Sequence, residues 1–400
     1  MKKEYFFKSG DIYLPNKKVP YEKWAVIACD QYTSSISYWD KVNEIVGKSP
    51  STLRLIYPEV YLNIKSDLKI EDIFNNMDNY LKNEVVVPST KDGLVLVERE
   101  TSSGKRIGVI GLIDLEQYSF TDNTYPIIAT EDIVKNRLDT RIEIRNKANI
   151  ELPHTILFII DENKTIIEEA YKECLHEKPI YDFDLMMNGG HIRGFELKGD
   201  IKDKLLKNIN NINDNPKIIV GDGNHSLATA KLTYERYKEN HSDYKTSPLR
   251  YTLVEIENLF SNEVGFFPIH RFIFNIKIDE LIKDFNDYIN KFHIKLGKNK
   301  EAIFVGDNKE TKFGFSSSIE CIKIIQDFVE YKKYNVDYPH ELDEINELLD
   351  SNKGCAITLN SIDRKDLLNW IKNNGHLPKK SFSIGKANDK KFYLESRKIR

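Results

Sequence analysis

Apolar and polar positions follow two different periods along this chain, and the switches between them outline its elements. "YEKWAVIACDQY" holds a short buried-type strand, Trp24 to Ala28, that ends in polar residues. "SYWDKVNEIVG" reads as a helix stopped by Gly47, and "LKIEDIFNNMDNYLKNE" as a second amphipathic helix. "GLVLVERE" and "RIGVIGLIDL" alternate like neighbouring strands joined by the turn "TSSGK". "TEDIVKNRLDTRIEIRNKA" predicts a helix capped by Thr130, with Glu131 and Asp132 where the helix dipole favours acids. "HTILFIIDENKTII" is a strand with a turn at Asp161–Asn163, and "PKIIVGDGNHSLATAK" is strand, turn and helix. After "FFPIHRFIF" the order becomes helix, strand, strand, helix, helix, strand, helix, strand. The pattern predicts a mixed α/β (α+β) fold in three parts: a main core over 1–273, an α+β lobe over 274–350, and final segments over 351–400. Two of those segments, "CAITLN" and "KFYLESRKI", are expected to return to the main sheet.

The junction at Gly221–Ser226 concentrates chemistry. The apolar run Ile218–Val220 stops at Gly-Asp-Gly-Asn-His-Ser, and a helical stretch follows at once. A strand feeding a helix through a glycine-rich turn aims backbone N–H groups and the positive end of the helix dipole at one point, which suits an anion such as phosphate. Gly221 and Gly223 permit unusual backbone angles, while Asn224, His225 and Ser226 add hydrogen-bonding side chains. Asp222 repels phosphate unless a cation or a proton intervenes, so it is a candidate Mg²⁺ ligand or general base. Leu227, Ala230, Tyr234 and Tyr237 share one face of the following helix and give the turn a packed footing. The segment is neither a Walker A loop nor GxGxxG. A tight turn capped by Asp222 or Ser226 explains the same residues without a ligand.

Composition narrows the function classes. The chain has 400 residues, 40% hydrophobic and 30% charged, with 21 Tyr and 20 Phe, which suits folded rather than disordered chain. A net charge of −3 favours neither nucleic acid nor an anionic membrane. The N-terminus lacks the apolar core of a signal peptide, and no 18-residue apolar run predicts a membrane span. Cys29, Cys174, Cys321 and Cys355 are scattered without metal or dithiol spacing, as expected of free thiols in a reducing cytoplasm.

"VGDGNHSLATAK" resembles the "DGHHR…A" signature shared by the DUF1015 family and by ParB-like nucleotide-binding folds. "WAVIACDQYTS", "PSTLRLIYPEVYL", "YDFDLMMNGGHIRG", "FPIHRF" and "LPKKSFSIGKA" are similar to DUF1015 as well, so the resemblance runs from Trp24 almost to the C-terminus. It implies a ParB-like nucleotide-binding core in which the turn cradles nucleotide phosphate. Some proteins of that superfamily are free-serine kinases and others CTP-dependent DNA clamps. Here Asn224 stands where His is usual and Ser226 where Arg is usual. The lost arginine would have gripped phosphate with two hydrogen bonds, so another cation must replace it.

Several segments offer that cation. Arg137, Arg141 and Arg145 form one helical stripe beside an apolar stripe of Val134, Leu138 and Ile142, and the resemblance favours Arg137. Asp139 and Glu143 are their partners if the face is merely solvated. "NGGHIRG" sets His191 and Arg193 among Gly189, Gly190 and Gly194, as an acid/base and an anion clamp in a ligand loop or as an ordinary hairpin. His270 with Arg271, and Lys379 and Lys380 with Ser381, are either ligand groups or, respectively, a satisfied core histidine and a basic turn. Asp30 ends a strand, where functional side chains often sit, and Cys29 beside it reads as a buried thiol.

The leading expectation is a phosphotransferase using ATP or ADP with Mg²⁺ on a small hydroxylated metabolite, with free L-serine as the first acceptor by resemblance. Asp222, His225 and His191 would be catalytic, Asp222 also holding the metal. Gly221, Gly223, Asn224, Ser226, Arg137, Arg193 and Lys380 would bind the nucleotide. A nucleotide-binding regulatory module without turnover and a phosphate-ester hydrolase use the same cradle. A DNA clamp would need a basic patch that this sequence lacks.

Overall fold

The computed structural model describes residues 5–33, 35–62, 69–133 and 138–400. They form two units. One holds the chain up to Val264 together with Ala387–Arg400, and the other is Gly265–Lys386. No helix among the described residues is long and apolar enough to cross a membrane.

The larger unit is built on a mixed sheet of eleven strands among the described residues. Its antiparallel side runs Tyr181–Asp184, His191–Leu197, Val86–Thr101, Gly104–Asp114 and Tyr251–Asn258. Tyr251–Asn258 then pairs in parallel with Ile156–Ile159, which pairs antiparallel with Ile218–Asp222. Ile156–Ile159 and Ile218–Val220 are buried throughout. A strand covered on both faces reads as a continuous apolar run, which is how both segments appear in the sequence. The strands around "TSSGK" pair as the alternation predicts, and Gly47 ends helix Ile36–Val46 with φ 54°.

Three expectations change. Trp24 closes a four-residue helix, Tyr21–Trp24, and the strand that follows is only Val26–Ile27. The helix drawn from Thr130 is described over Asp139–Lys147, while Val134–Arg137 lie outside the described residues. The Thr130 hydroxyl donates to Val220 O at 2.7 Å, and its N–H donates to Asn224 Oδ1 at 3.1 Å. "CAITLN" does not rejoin the main sheet. Gly354–Thr358 pairs with Arg271–Phe274 and Lys300–Gly306 inside the second unit, where Cys355, Ala356 and Ile357 are fully buried.

The second unit is a five-stranded sheet packed with helices Ile278–Lys291, Ser318–Lys332, Leu342–Ser351 and Arg364–Asn374. Phe285 touches Phe304, Phe313 and Phe328, so aromatic packing shares the core there with buried aliphatic residues such as Leu281, Ile322 and Ile325.

Only the last segment returns to the larger unit. Phe392–Tyr393 pairs with Val26–Ile27, and Arg397–Lys398 pairs with Ile150–Glu151. This segment lies on a buried layer of charge. Arg99 donates to the carbonyls of Asn388 at 2.6 Å and Asp389 at 3.1 Å, and Arg106 donates to Asp389 O at 3.0 Å. Lys391 Nζ lies 2.8 Å from Glu255 and 3.1 Å from Glu395. Gly108 leaves the room this layer needs, since a Cβ there would come within 2.3 Å of Glu255 Oε1.

Candidate functional site

The strand Ile218–Asp222 leads through Gly223 into helix Asn224–Asn240, as the sequence pattern requires. A register irregularity between Val220 and Asp222 puts Gly221 at a bulge. Gly223 has φ 80° and ψ 28°, a left-handed conformation natural to glycine. Space demands glycine there too: a Cβ would lie 2.9 Å from Thr155 Oγ1 and 3.0 Å from Thr155 Cα. Asn224 is buried, and its amide is tied to Thr130, so it braces the turn from beneath. Leu227, Ala230 and Tyr234 are buried along the helix face that the spacing marks. His225 and Ser226 are partly exposed in the first helical turn.

Two cations flank that turn. Asp222 Oδ1 accepts its neighbour's N–H from Gly223 at 2.9 Å, and Oδ2 lies 3.0 Å from Lys390 Nζ. The Lys390 side chain is about nine-tenths buried, so its charge is directed at Asp222 rather than at bulk water. On the other side, Arg141 Nη1 donates to Ser226 Oγ at 2.6 Å. Helix Asp139–Lys147, remote in sequence, thus delivers a guanidinium to the side chain that stands where the resemblance expects arginine. Its other edge pairs with Glu59 and lies 3.7 Å from Asp30.

Ser226 Oγ is also 3.0 Å from His154 Nε2. His154 is buried, with Nε2 3.4 Å from Asp30 Oδ2 and Nδ1 2.8 Å from the Tyr393 hydroxyl. Tyr393 donates in turn to Cys29 Sγ at 3.2 Å. Burial opposes ionisation of Asp30, but His154 and Arg141 outweigh it and hold the carboxyl well below its usual range. Burial pushes the Cys29 thiol up to about 11 against the pull of Arg141, so it stays protonated at neutral pH. Arg141, Ser226, His154 and Tyr393 therefore form one hydrogen-bonded chain, with the ionised Asp30 3.7 Å from Arg141 and 3.4 Å from His154.

Other sequence candidates are engaged elsewhere. His191 binds Asp184 through Nδ1 at 2.6 Å and Asp182 through Nε2 at 2.7 Å, both on the adjoining strand. Arg193 forks onto Glu98 with contacts of 2.7 and 2.8 Å, an ion pair across the sheet. The glycines of "NGGHIRG" answer to packing. A Cβ on Gly190 would strike Glu100 O at 2.0 Å, and one on Gly194 would enter the Tyr181 ring. Arg145 pairs with Glu151 at 2.9 Å. Arg137 lies outside the described residues.

In the second unit, Lys380 has φ 58° and accepts from Arg271 at its carbonyl, with its ammonium over the Tyr338 ring. His270 is buried and accepts from Leu359 N at 3.1 Å. Burial, aided by Arg271, pushes that histidine down to about 4. Mg²⁺ does not fit as a ligand of Asp222, whose oxygens face Gly223 N–H and Lys390. Among the described residues no three His, Cys, Asp or Glu side chains converge on a metal position.

His154, Glu59, Tyr393 and Lys390 escaped sequence reasoning. His154 carried the clearest signal, because "PHTILF" puts it just ahead of the apolar strand that pairs with Ile218–Asp222. Glu59 lies in "PSTLRLIYPEVYL", where the resemblance marks no role for it, and Lys390 and Tyr393 lie in a segment with no local motif.

The model of a family described as protein of unknown function, DUF1015, matches residues 12–351. No curated protein matches the chain. Among solved structures, free serine kinase in complex with AMP aligns with TM-score 0.40 and 10% identity over 72% of this chain and 90% of that one. A conserved hypothetical protein from Pyrococcus furiosus aligns with TM-score 0.36 and 9% identity over 72% and 94%. SbnI with a C-terminal truncation from Staphylococcus aureus aligns with TM-score 0.38 and 7% identity over 69% and 82%.

Proposed function

The chain belongs to the DUF1015 family, and from that premise we propose that it is a nucleotide-dependent phosphotransferase acting on a small hydroxylated metabolite, with free L-serine the first acceptor to test. One observation carries this reading: the first turn of helix Asn224–Asn240 is flanked by two inward-directed cations, Lys390 and Arg141, with the ionised Asp30 beside it. Phosphoryl transfer needs positioning, charge neutralisation and a proton acceptor, and this site supplies the three.

The phosphates lie against Gly221, Gly223 and the first-turn N–H groups, which lack partners within their own helix. Asn224 holds the turn in shape from below. Arg141 and Lys390 compensate the phosphate charge, and His225 and Ser226 hydrogen-bond to it. Asp222 orients Lys390. Asp30 takes the proton of the acceptor hydroxyl, its charge maintained by the Arg141 guanidinium beside it. His191 and Arg193 have no part in the proposal, since carboxylates of their own sheet region hold them.

The test is mass spectrometry of products after incubation with L-serine, magnesium and either ATP or ADP, alongside calorimetric titration of the nucleotide. Wild type forms phosphoserine, and Asp30→Asn does not. Arg141→Ala weakens nucleotide binding by about 10- to 100-fold, the worth of one or two charge-assisted hydrogen bonds. Arg193→Ala leaves the affinity unchanged. Nucleotide that binds but stays intact with every hydroxylated acceptor would replace the transferase by a binding module, and phosphate released to water alone would replace it by a hydrolase. No binding at all would end the nucleotide reading.

A further inference from the structure

The hydroxyl of Ser226 sits in a more elaborate setting than phosphate binding requires. Arg141 Nη1 donates to its oxygen at 2.6 Å, so the hydroxyl proton is directed elsewhere. The acceptor in reach is His154 Nε2 at 3.0 Å. Tyr393 donates its own proton to Cys29 Sγ at 3.2 Å, which leaves its oxygen to accept Nδ1–H of His154 at 2.8 Å. With the proton on Nδ1, Nε2 carries the lone pair that faces Ser226. The imidazole is buried and its orientation is fixed. A hydroxyl, a base within hydrogen-bond reach and a third group that orients the base are the arrangement of an activated nucleophile.

We propose that Ser226 is a nucleophile that accepts the phosphoryl group covalently, with His154 as its base and Tyr393 as the group that positions His154. The proposal rests on the nucleotide reading above only for its phosphoryl donor. Ser226 Oγ attacks the terminal phosphorus of a nucleoside triphosphate, and the Oγ–P bond forms. The bond from that phosphorus to the bridging oxygen breaks, and the nucleoside diphosphate leaves with the electron pair. The serine proton passes to His154 Nε2, and Asp30 Oδ2, 3.4 Å away, faces the imidazolium so formed. Arg141 remains on the oxygen side to balance the phosphoryl charge. In the second half, an acceptor hydroxyl attacks the phosphoserine, its proton goes to Asp30, and Ser226 Oγ recovers a proton from His154.

The test uses the full chain with terminally labelled ATP, no acceptor and an acid quench, followed by intact mass and peptide mapping. A parallel arm omits nucleotide and adds diisopropyl fluorophosphate, which forms an Oγ–P bond with loss of fluoride. Wild type gains one phosphoryl group in the first arm and one adduct in the second, both at Ser226, and Ser226→Ala gains neither. His154→Gln, checked for folding by circular dichroism, slows both labellings by about 100-fold, the usual worth of a general base. Tyr393→Phe still becomes labelled, but the pH of half-maximal labelling shifts, which a merely structural tyrosine would not cause. Nucleotide that binds calorimetrically while neither reagent modifies Ser226 overturns the covalent role and leaves the nucleotide reading standing. Fluorophosphate labelling without nucleotide binding does the reverse, and failure of both arms removes both.

Discussion

The charge layer beneath the C-terminal segment allows a quantitative test of what holds the site together. Lys391 Nζ lies 2.8 Å from Glu255 and 3.1 Å from Glu395, and the three side chains are 4%, 4% and 0% exposed. Lys391→Met keeps the length of the side chain and removes its charge, leaving two carboxylates buried beside an apolar group. Stripping one partner from a buried pair costs about 3–5 kcal/mol, and the better burial of methionine offsets part of that, so a loss of about 3 kcal/mol is expected near neutral pH. The loss has a pH signature. Burial pushes Glu255 up, but Lys391 first and Arg106 next bring it below its ordinary value. In wild type it therefore adds stability above the unfolded carboxyl range and loses it as pH falls through the lowered native value. Without Lys391 that balance tips toward protonation, and the penalty of the substitution shrinks toward roughly pH 5. Urea unfolding followed by tryptophan fluorescence reads this out, because Trp24 Nε1 donates to Leu394 O at 3.0 Å in the same segment. Adding Glu395→Gln to Lys391→Met recovers about 1–2 kcal/mol by removing one stranded charge. A loss under about 1 kcal/mol, or a penalty that grows on acidification, would show that the layer does not anchor the segment.

Gly223→Ala imposes a left-handed conformation costing about 1–2 kcal/mol and adds overlap with Thr155, so thermal melting is expected to show a loss of about 2–3 kcal/mol, with weaker nucleotide binding by calorimetry. An unchanged melt would mean that the turn is not held as described. Burial, with Arg106 opposing and Glu255 reinforcing, pushes Glu257 up to about 8. A native value above the unfolded one of about 4.3 gives stability that is full below the unfolded value and lost as pH rises through the native one. Wild-type stability should therefore fall between roughly pH 4.3 and 8 by up to about 1.4 kcal/mol per unit, and Glu257→Gln should flatten that slope. Parallel curves for the two proteins would contradict it.

Local periodicity made much of the fold legible. Ile218–Val220 announces a buried strand, Gly221 and Gly223 unusual backbone angles, and the spacing of Leu227, Ala230, Tyr234 and Tyr237 a packed helix; the strand and helix appear as written with Tyr237 half-buried, and Gly223 is left-handed whereas Gly221 sits at a strand bulge. Misreadings arose where long-range pairing decides. "CAITLN" is as apolar as a main-sheet strand, but its partners Arg271–Phe274 and Lys300–Gly306 place it in the second unit. Thr130 has the chemistry of a cap, yet its hydroxyl serves Val220 O, a contact 90 residues away. The glycines of "NGGHIRG" suggested a ligand loop because glycine marks close approach. The approaching groups are the Glu100 backbone and the Tyr181 ring.

The candidate site divides along the same line. Its backbone half, Gly221 to Ser226, is contiguous and carries a motif. Its charged half comes from positions 30, 59, 141, 154, 390 and 393, and no window of sequence contains two distant members. The absence of arginine at position 226 did state that a cation had to arrive from elsewhere, and the stripe of Arg141 and Arg145 was one of its possible sources. What separates the two arginines is a partner: Arg145 is claimed by Glu151 on the strand that pairs with Arg397–Lys398, whereas Arg141 reaches Ser226. The C-terminal segment thus acts twice. It supplies Lys390 and Tyr393 to the turn directly, and it completes the sheet pairing at Glu151 that occupies Arg145. A site assembled this way depends on the buried charges that fix the segment as much as on the motif that first drew attention to it.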